Sequence, residues 1–147
     1  IADIQRCYEF RLSIEPDYAY NAALRRNDAS LNAMAVALDL LRDATLGHTH
    51  RSDADFAFHV AIAEAANNHY YISTMLALKD QIGVVMKFHG ATLLGPQYQL
   101  EGVLAEHLAI FEAIRNRDAE RAASLMRAHL EGSRDRVFEG RLLDLSL

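Results

Sequence analysis

The segment FAFHVAIAEAA, residues 56–66, is apolar except at His59 and Glu64. A helix that is apolar on nearly every side has to be surrounded by protein. The rest of the chain is therefore expected to wrap around this segment. Asp55 and His59 lie one helical turn apart here, the i, i+4 spacing that places two side chains on the same side. A carboxylate taken into such an interior needs a partner, because an unpaired buried charge is costly.

The surrounding elements read as helices. There are two prolines, Pro16 and Pro96, and no sustained alternation of β-branched residues. A first helix is predicted over Ala2–Glu15. Pro16 disfavours helical geometry at Glu15, so a kink or break is expected there, with the helix resuming to about Arg26. A second helix is predicted from Ser30 to Leu46, with Asp28 or Ser30 as its N-cap. GHTHRSD reads as a polar loop. A third helix covers Ser52–Ala66, and Asn67 and Asn68 interrupt it. A fourth continues to His89, where Gly90 stops it. A fifth spans Gln97–Asn116, and Asp118 caps a sixth that reaches Phe138. The expectation is an all-α, antiparallel bundle of six to seven helices forming one domain over residues 1–147.

A net charge of −5 makes the chain a poor candidate for gripping nucleic acid directly. The single cysteine, Cys7, excludes an internal disulfide and fits a reducing, cytoplasmic setting. No apolar run is long enough to cross a bilayer, and no secretory signal is visible.

Helical periodicity separates the seven histidines. Around His107, the residues Val103, Leu104, Ile110, Phe111 and Ile114 fall within roughly 60° at 100° per residue. Ala122, Leu125 and Met126 flank His129 in the same way. Three helices thus each carry a metal-capable group on the face that should be buried: Asp55 with His59, His107, and His129. A lone histidine on an apolar face is more often a hydrogen-bonded core residue, and an Asp–His pair at this spacing is often a surface pair. The combination is what points to a metal. One cysteine cannot build a thiolate zinc site. No H-E-x-x-H occurs, and no Glu-x-x-His pair of the di-iron bundles. His48 and His50 are expected in solvent, and His89 at a helix end where a cation suits the dipole.

DADFAFHVAIAEAANN and EHLAIFEAIRNRDAERAASLMRAHL together resemble the effector-binding C-terminal (FCD) domain of GntR-type transcription regulators, FadR subfamily. Phe58 precedes His59 and Ile62 follows it, as in that family. Ala65, Ala66, Asn67 and Asn68 match its small-residue–Asn element. Glu106, His107, Ile110, Ala113, Ile114, Asp118 and Ala122 match its later run. The resemblance implies a divalent metal held by Asp55, His59, His107 and His129 in a central pocket. Zn²⁺ is the leading choice, with Ni²⁺, Mn²⁺ or Fe²⁺ as alternatives. It implies a small carboxylate effector bound at the metal, at Arg11 in the opening YEFRLSIEPDYA, and at Asn68. Arg11 alone would also pair with Glu15 one turn on, and Asn68 would also cap the fourth helix. The family further implies a homodimer, and operator DNA read by an N-terminal winged helix-turn-helix. Nothing in this chain corresponds to that domain, so the chain reads as a fragment that does not bind DNA by itself. A sensor rather than an enzyme is expected. The rival readings are a metal-dependent hydrolase and a purely structural bundle.

Overall fold

The first helix, α1, runs unbroken from Ala2 to Arg25, with Pro16 inside it. The expected break is absent. Pro16 cannot donate to the Leu12 carbonyl, but Nη2 of Arg127 reaches that oxygen at 3.5 Å. Pro16 itself is buried, and α1 packs along its length on α7 (Ala119–Phe138) and on α3 (Ser52–Ala65). This packing outweighs a local proline cost of about 3 kcal/mol.

The computed structural model describes residues 1–146. Among them are seven helices and no strand. The remaining four are α2 (Asp28–Leu46), α4 (His69–Ala77), α5 (Lys79–Thr92) and α6 (Gln97–Arg115). The cap of α2 is neither Asp28 nor Ser30 but Asn27. Its Oδ1 accepts from the Ser30 N–H at 2.8 Å, and the Ser30 Oγ accepts from the Asn27 N–H at 3.0 Å. This reciprocal capping box satisfies two donors that the first turn leaves open. The predicted fourth helix is divided at Leu78 into α4 and α5, and Gly90 lies inside α5 rather than ending it. Asn68 caps α4 by accepting from the Tyr70 N–H at 3.1 Å. Asp118 caps α7 by accepting from the Arg121 N–H at 3.2 Å.

Short connections fold α2 back on α3 and α6 back on α7. The inner helix is α3, as its composition requires. It is buried on nearly every side, with Phe58, Ala61, Ile62, Ala63 and Ala65 in the main core. It packs closely on α1, α2, α4 and α5. Buried alanines at 19, 22 and 23 on α1 and at 61, 63 and 65 on α3 fill the core with small side chains. Toward α6 and α7 the α3 backbone makes few close approaches, and the space between is bridged by side chains. That space holds the site described next. At the other end, Gln5 ties the C-terminal segment to α1 through two hydrogen bonds with the Leu143 backbone, at 2.9 and 2.7 Å.

Replacing Asn27 by Ala removes one half of the capping box and should cost about 1 kcal/mol. For a domain of this size that lowers the melting temperature by roughly 2–4 °C; a thermal melt of the variant beside the wild type checks it.

Candidate metal centre

Asp55 sits in the first turn of α3, where the helix dipole favours a carboxylate. It is 3 % exposed. Its Oδ1 lies 3.0 Å from Nε2 of His107 on α6 and 3.3 Å from Nε2 of His59 one turn along α3. The His129 ring, from α7, stands 4.5 Å from that of His107 and 5.7 Å from that of His59, centroid to centroid. All four residues are buried, and each offers a ligand atom within 4.8 Å of those of the others. The structure thus brings together the four side chains that helical periodicity singled out.

The other nitrogen of each imidazole shows what the cluster is suited to hold. Nδ1 of His107 donates to the Val103 carbonyl at 2.9 Å. Nδ1 of His59 donates to Glu15 on α1. Nδ1 of His129 donates to Oε1 of Glu106 at 2.6 Å. With the proton on Nδ1, a neutral imidazole presents a lone pair at Nε2. At His59 and His107 that lone pair faces the Asp55 carboxylate, so acceptor meets acceptor. Nε2 of His59 is fully buried and has no hydrogen-bond partner. Only a cation between these atoms reconciles them, either a proton or a metal ion. Nδ1 anchored to a carboxylate or a carbonyl is also the usual outer support of a metal-bound histidine. The residues present therefore fit a divalent ion, with three borderline nitrogen donors and one hard oxygen.

Without a metal, protons do this work. Burial opposes charge on His59, but Glu15 and Asp55 outweigh it and raise the imidazole to about 9. Burial also opposes charge on Asp55, yet His107 and the hydrogen bonds from the surrounding imidazoles hold it well below the usual range. Burial, reinforced by the neighbouring His107 and His59, keeps His129 neutral, far below its ordinary value. Glu15 is likewise buried, but Arg11 and His59 bring it down to about 2.

Arg11 is buried, and its Nε donates to Oε2 of Glu15 at 2.5 Å. Glu15 therefore joins Arg11 to His59, a bridging role that the i, i+4 pairing alone did not reveal. Asn68 lies at the start of α4, with its side-chain oxygen engaged in the cap. Two histidines depart from expectation. His50 belongs to the polar connection before α3, but its side chain is 7 % exposed, and its Nε2 donates to Oδ2 of Asp55 at 3.1 Å. Gly90 makes this possible, since a Cβ there would stand 2.8 Å from the His50 ring. His89 is not a helix-end cation. It is buried, and its Nε2 accepts from Nε of Arg136 at 3.0 Å. Burial, then the Arg136 charge, push it down to about 3. Arg136 also donates to Glu106 at 3.2 Å, completing a chain from His129 through Glu106 to His89. His48 is exposed, as expected.

The arrangement is a buried cluster of one aspartate and three histidines whose donor atoms suit a cation. Residues 6–132 match the FCD domain, and the chain belongs to that family, the effector-binding domains of GntR-type regulators. It is 31% identical over 124 residues to the putative L-lactate dehydrogenase operon regulatory protein of Escherichia coli K12, covering 83% of this chain and 46% of that protein. It is 26% identical over 134 residues to the HTH-type transcriptional regulator LutR of Bacillus subtilis 168, covering 90% and 61%. The chain thus spans about half the length of these relatives. Among solved structures, Streptococcus agalactiae GntR shares the fold with a TM-score of 0.72 at 22% identity, over 90% of this chain and 58% of that one.

The depressed His89 has a consequence in acid. Its folded value, about 3, lies below the unfolded value near ~6.5. The unfolded chain therefore takes up the proton first, and this contribution to stability, complete above pH ~6.5, is lost as pH falls toward 3. His89→Gln keeps an acceptor for Arg136 but does not titrate. Metal-free variant and wild type, unfolded in urea at pH 7 and pH 5, should differ in pH sensitivity by on the order of 1–2 kcal/mol, the wild type losing more.

Proposed function

We propose that this domain senses a small organic acid through a divalent cation held by Asp55, His59, His107 and His129. The observation that carries the reading is the pair of opposed acceptors inside the cluster, with Nε2 of His59 buried and unpartnered. Zn²⁺ suits the donor set best, and Ni²⁺, Mn²⁺ and Fe²⁺ also suit it. When bound, the cation supplies a Lewis-acidic anchor for the carboxylate, and an adjacent hydroxyl, of the effector. Arg11 spends Nε on Glu15, which leaves its two Nη groups as donors for the effector carboxylate. Asn68 is a further hydrogen-bonding group at the α3–α4 junction.

Charge supports an anionic ligand. With the imidazoles neutral, the buried ions Arg11, Glu15 and Asp55 leave one net negative charge. A dication reverses the sign, and a monocarboxylate restores neutrality. The relative whose name refers to an L-lactate dehydrogenase operon makes 2-hydroxy acids the first class to test.

In the full-length regulator, of the FadR subfamily, the domain forms a homodimer in the cytoplasm. Effector binding there shifts the placement of N-terminal domains that read operator DNA. Such coupling requires that the acid bind two arrangements with different affinity. The hydrolase reading is disfavoured by Glu106, the carboxylate nearest His107 in sequence. It already accepts from His129 and Arg136 and is not free to act as a base.

A thermal-shift series tests the proposal. Zn²⁺-loaded protein with an acid at about 100 times its dissociation constant should gain about 2.7 kcal/mol, a rise of roughly 5–10 °C. Chelator-stripped protein should show no response to the acid. Arg11→Ala should keep the metal-induced rise and lose most of the acid-induced one. An acid response that survives both chelation and Arg11→Ala contradicts the assignment. Asp55→Ala should abolish the stabilisation by Zn²⁺.

A further inference from the structure

We propose that His50 is a positioning residue of the metal centre, holding the outer oxygen of Asp55 so that Oδ1 stays aimed at the three imidazoles. The inference rests on the metal reading above and adds to it a residue outside the ligand quartet. Asp55 divides its two oxygens. Oδ1 faces His107 and His59, while Oδ2 takes the Nε2–H of His50 at 3.1 Å. Without that donor, the carboxylate could turn about its terminal torsion, which is soft for aspartate. Ligating carboxylates are generally held by such outer hydrogen bonds.

The segment carrying His50 is built to keep it there. The Thr49 N–H and Oγ both bond to the Ala44 carbonyl, at 2.8 and 3.1 Å. His48 contacts the Leu94 carbonyl at 3.1 Å and Gln97 at 2.5 Å. Gln97 in turn donates to the Thr45 carbonyl at 2.6 Å. The backbone on the N-terminal side of His50 is thus fastened to the end of α2 and to the α5–α6 connection. The imidazole lies against Gly90, where any side chain would collide with it. His50 also lines a surface crevice of about 460 Å³ with Lys87, Gly90, Ala91 and Leu94. One imidazole ring therefore stands between that crevice and the buried carboxylate.

The test compares wild type with His50→Ala, His50→Gln and Gly90→Ala. Zn²⁺ affinity is measured by chelator competition, the visible absorption of the Co²⁺-loaded protein reports the ligand field, and circular dichroism verifies folding. His50→Ala should weaken Zn²⁺ binding by about 10- to 100-fold and alter the Co²⁺ bands. His50→Gln retains an N–H donor and should recover most of the affinity. Gly90→Ala removes no polar group but displaces the ring, so it should reproduce the weakening. Wild-type affinity and Co²⁺ spectrum in both His50→Ala and Gly90→Ala would overturn the proposal, as would a loss that Gln does not recover. A wild-type protein that binds neither metal would overturn the metal reading itself, and this inference with it, an outcome distinct from the variant results.

Discussion

A single carboxylate, that of Asp55, sets the terms for the interior. It is carried inside on a helix whose apolar surface requires burial, and it arrives with no cationic side chain of its own. The protein surrounds it with imidazoles from α3, α6, α7 and the connection before α3. Each of the three cluster imidazoles is fixed from behind by a different acceptor: Glu15, the Val103 carbonyl or Glu106. The interaction reaches four helices, so α3 is joined to α6 and α7 across a space that their backbones do not close. A half-satisfied polar network in a dry interior is costly. The cluster is therefore balanced only when a cation lies among its acceptors.

That balance connects fold to function. Glu15 serves two masters, Arg11 and His59, so a change at the Arg11 guanidinium also acts on the support of a cluster imidazole. Glu106 similarly joins His129 to Arg136 and, through it, to His89 on α5. The first link is shut off from solvent, where electrostatic coupling is strong, whereas Glu106 and Arg136 are about one-third exposed and more screened. A change in the charge of the cluster is thereby felt on α1, α5 and α7, helices that also form much of the outside of the bundle.

The quartet was legible in the sequence because it obeys the helical period. Asp55 and His59 share a turn, and His107 and His129 lie at the centres of apolar stripes. The all-α class followed from the same periodicity, and the ends of α6 and α7 lay within a residue of expectation. The misses that bear on the site are tertiary. Pro16 reads as a break, but packing on α7 and the Arg127 side chain override the local preference. GHTHRSD reads as a solvated loop, yet His50 turns inward because Gly90, forty residues later, has no side chain there. Gly90 itself reads as a helix stop, and its service is to leave space. Glu106 points away from the apolar stripe of its own helix, and its partner His129 lies on another. No pattern within one segment carries such pairings.

The most direct measurement of the central claim is an anomalous-difference map from crystals of untagged protein loaded with Zn²⁺. A metal held by the quartet gives one strong peak about 2.0–2.2 Å from a carboxylate oxygen of Asp55 and from one nitrogen each of His59, His107 and His129. A map with no peak there, the carboxylate still bonded directly to protonated imidazoles, would contradict the claim.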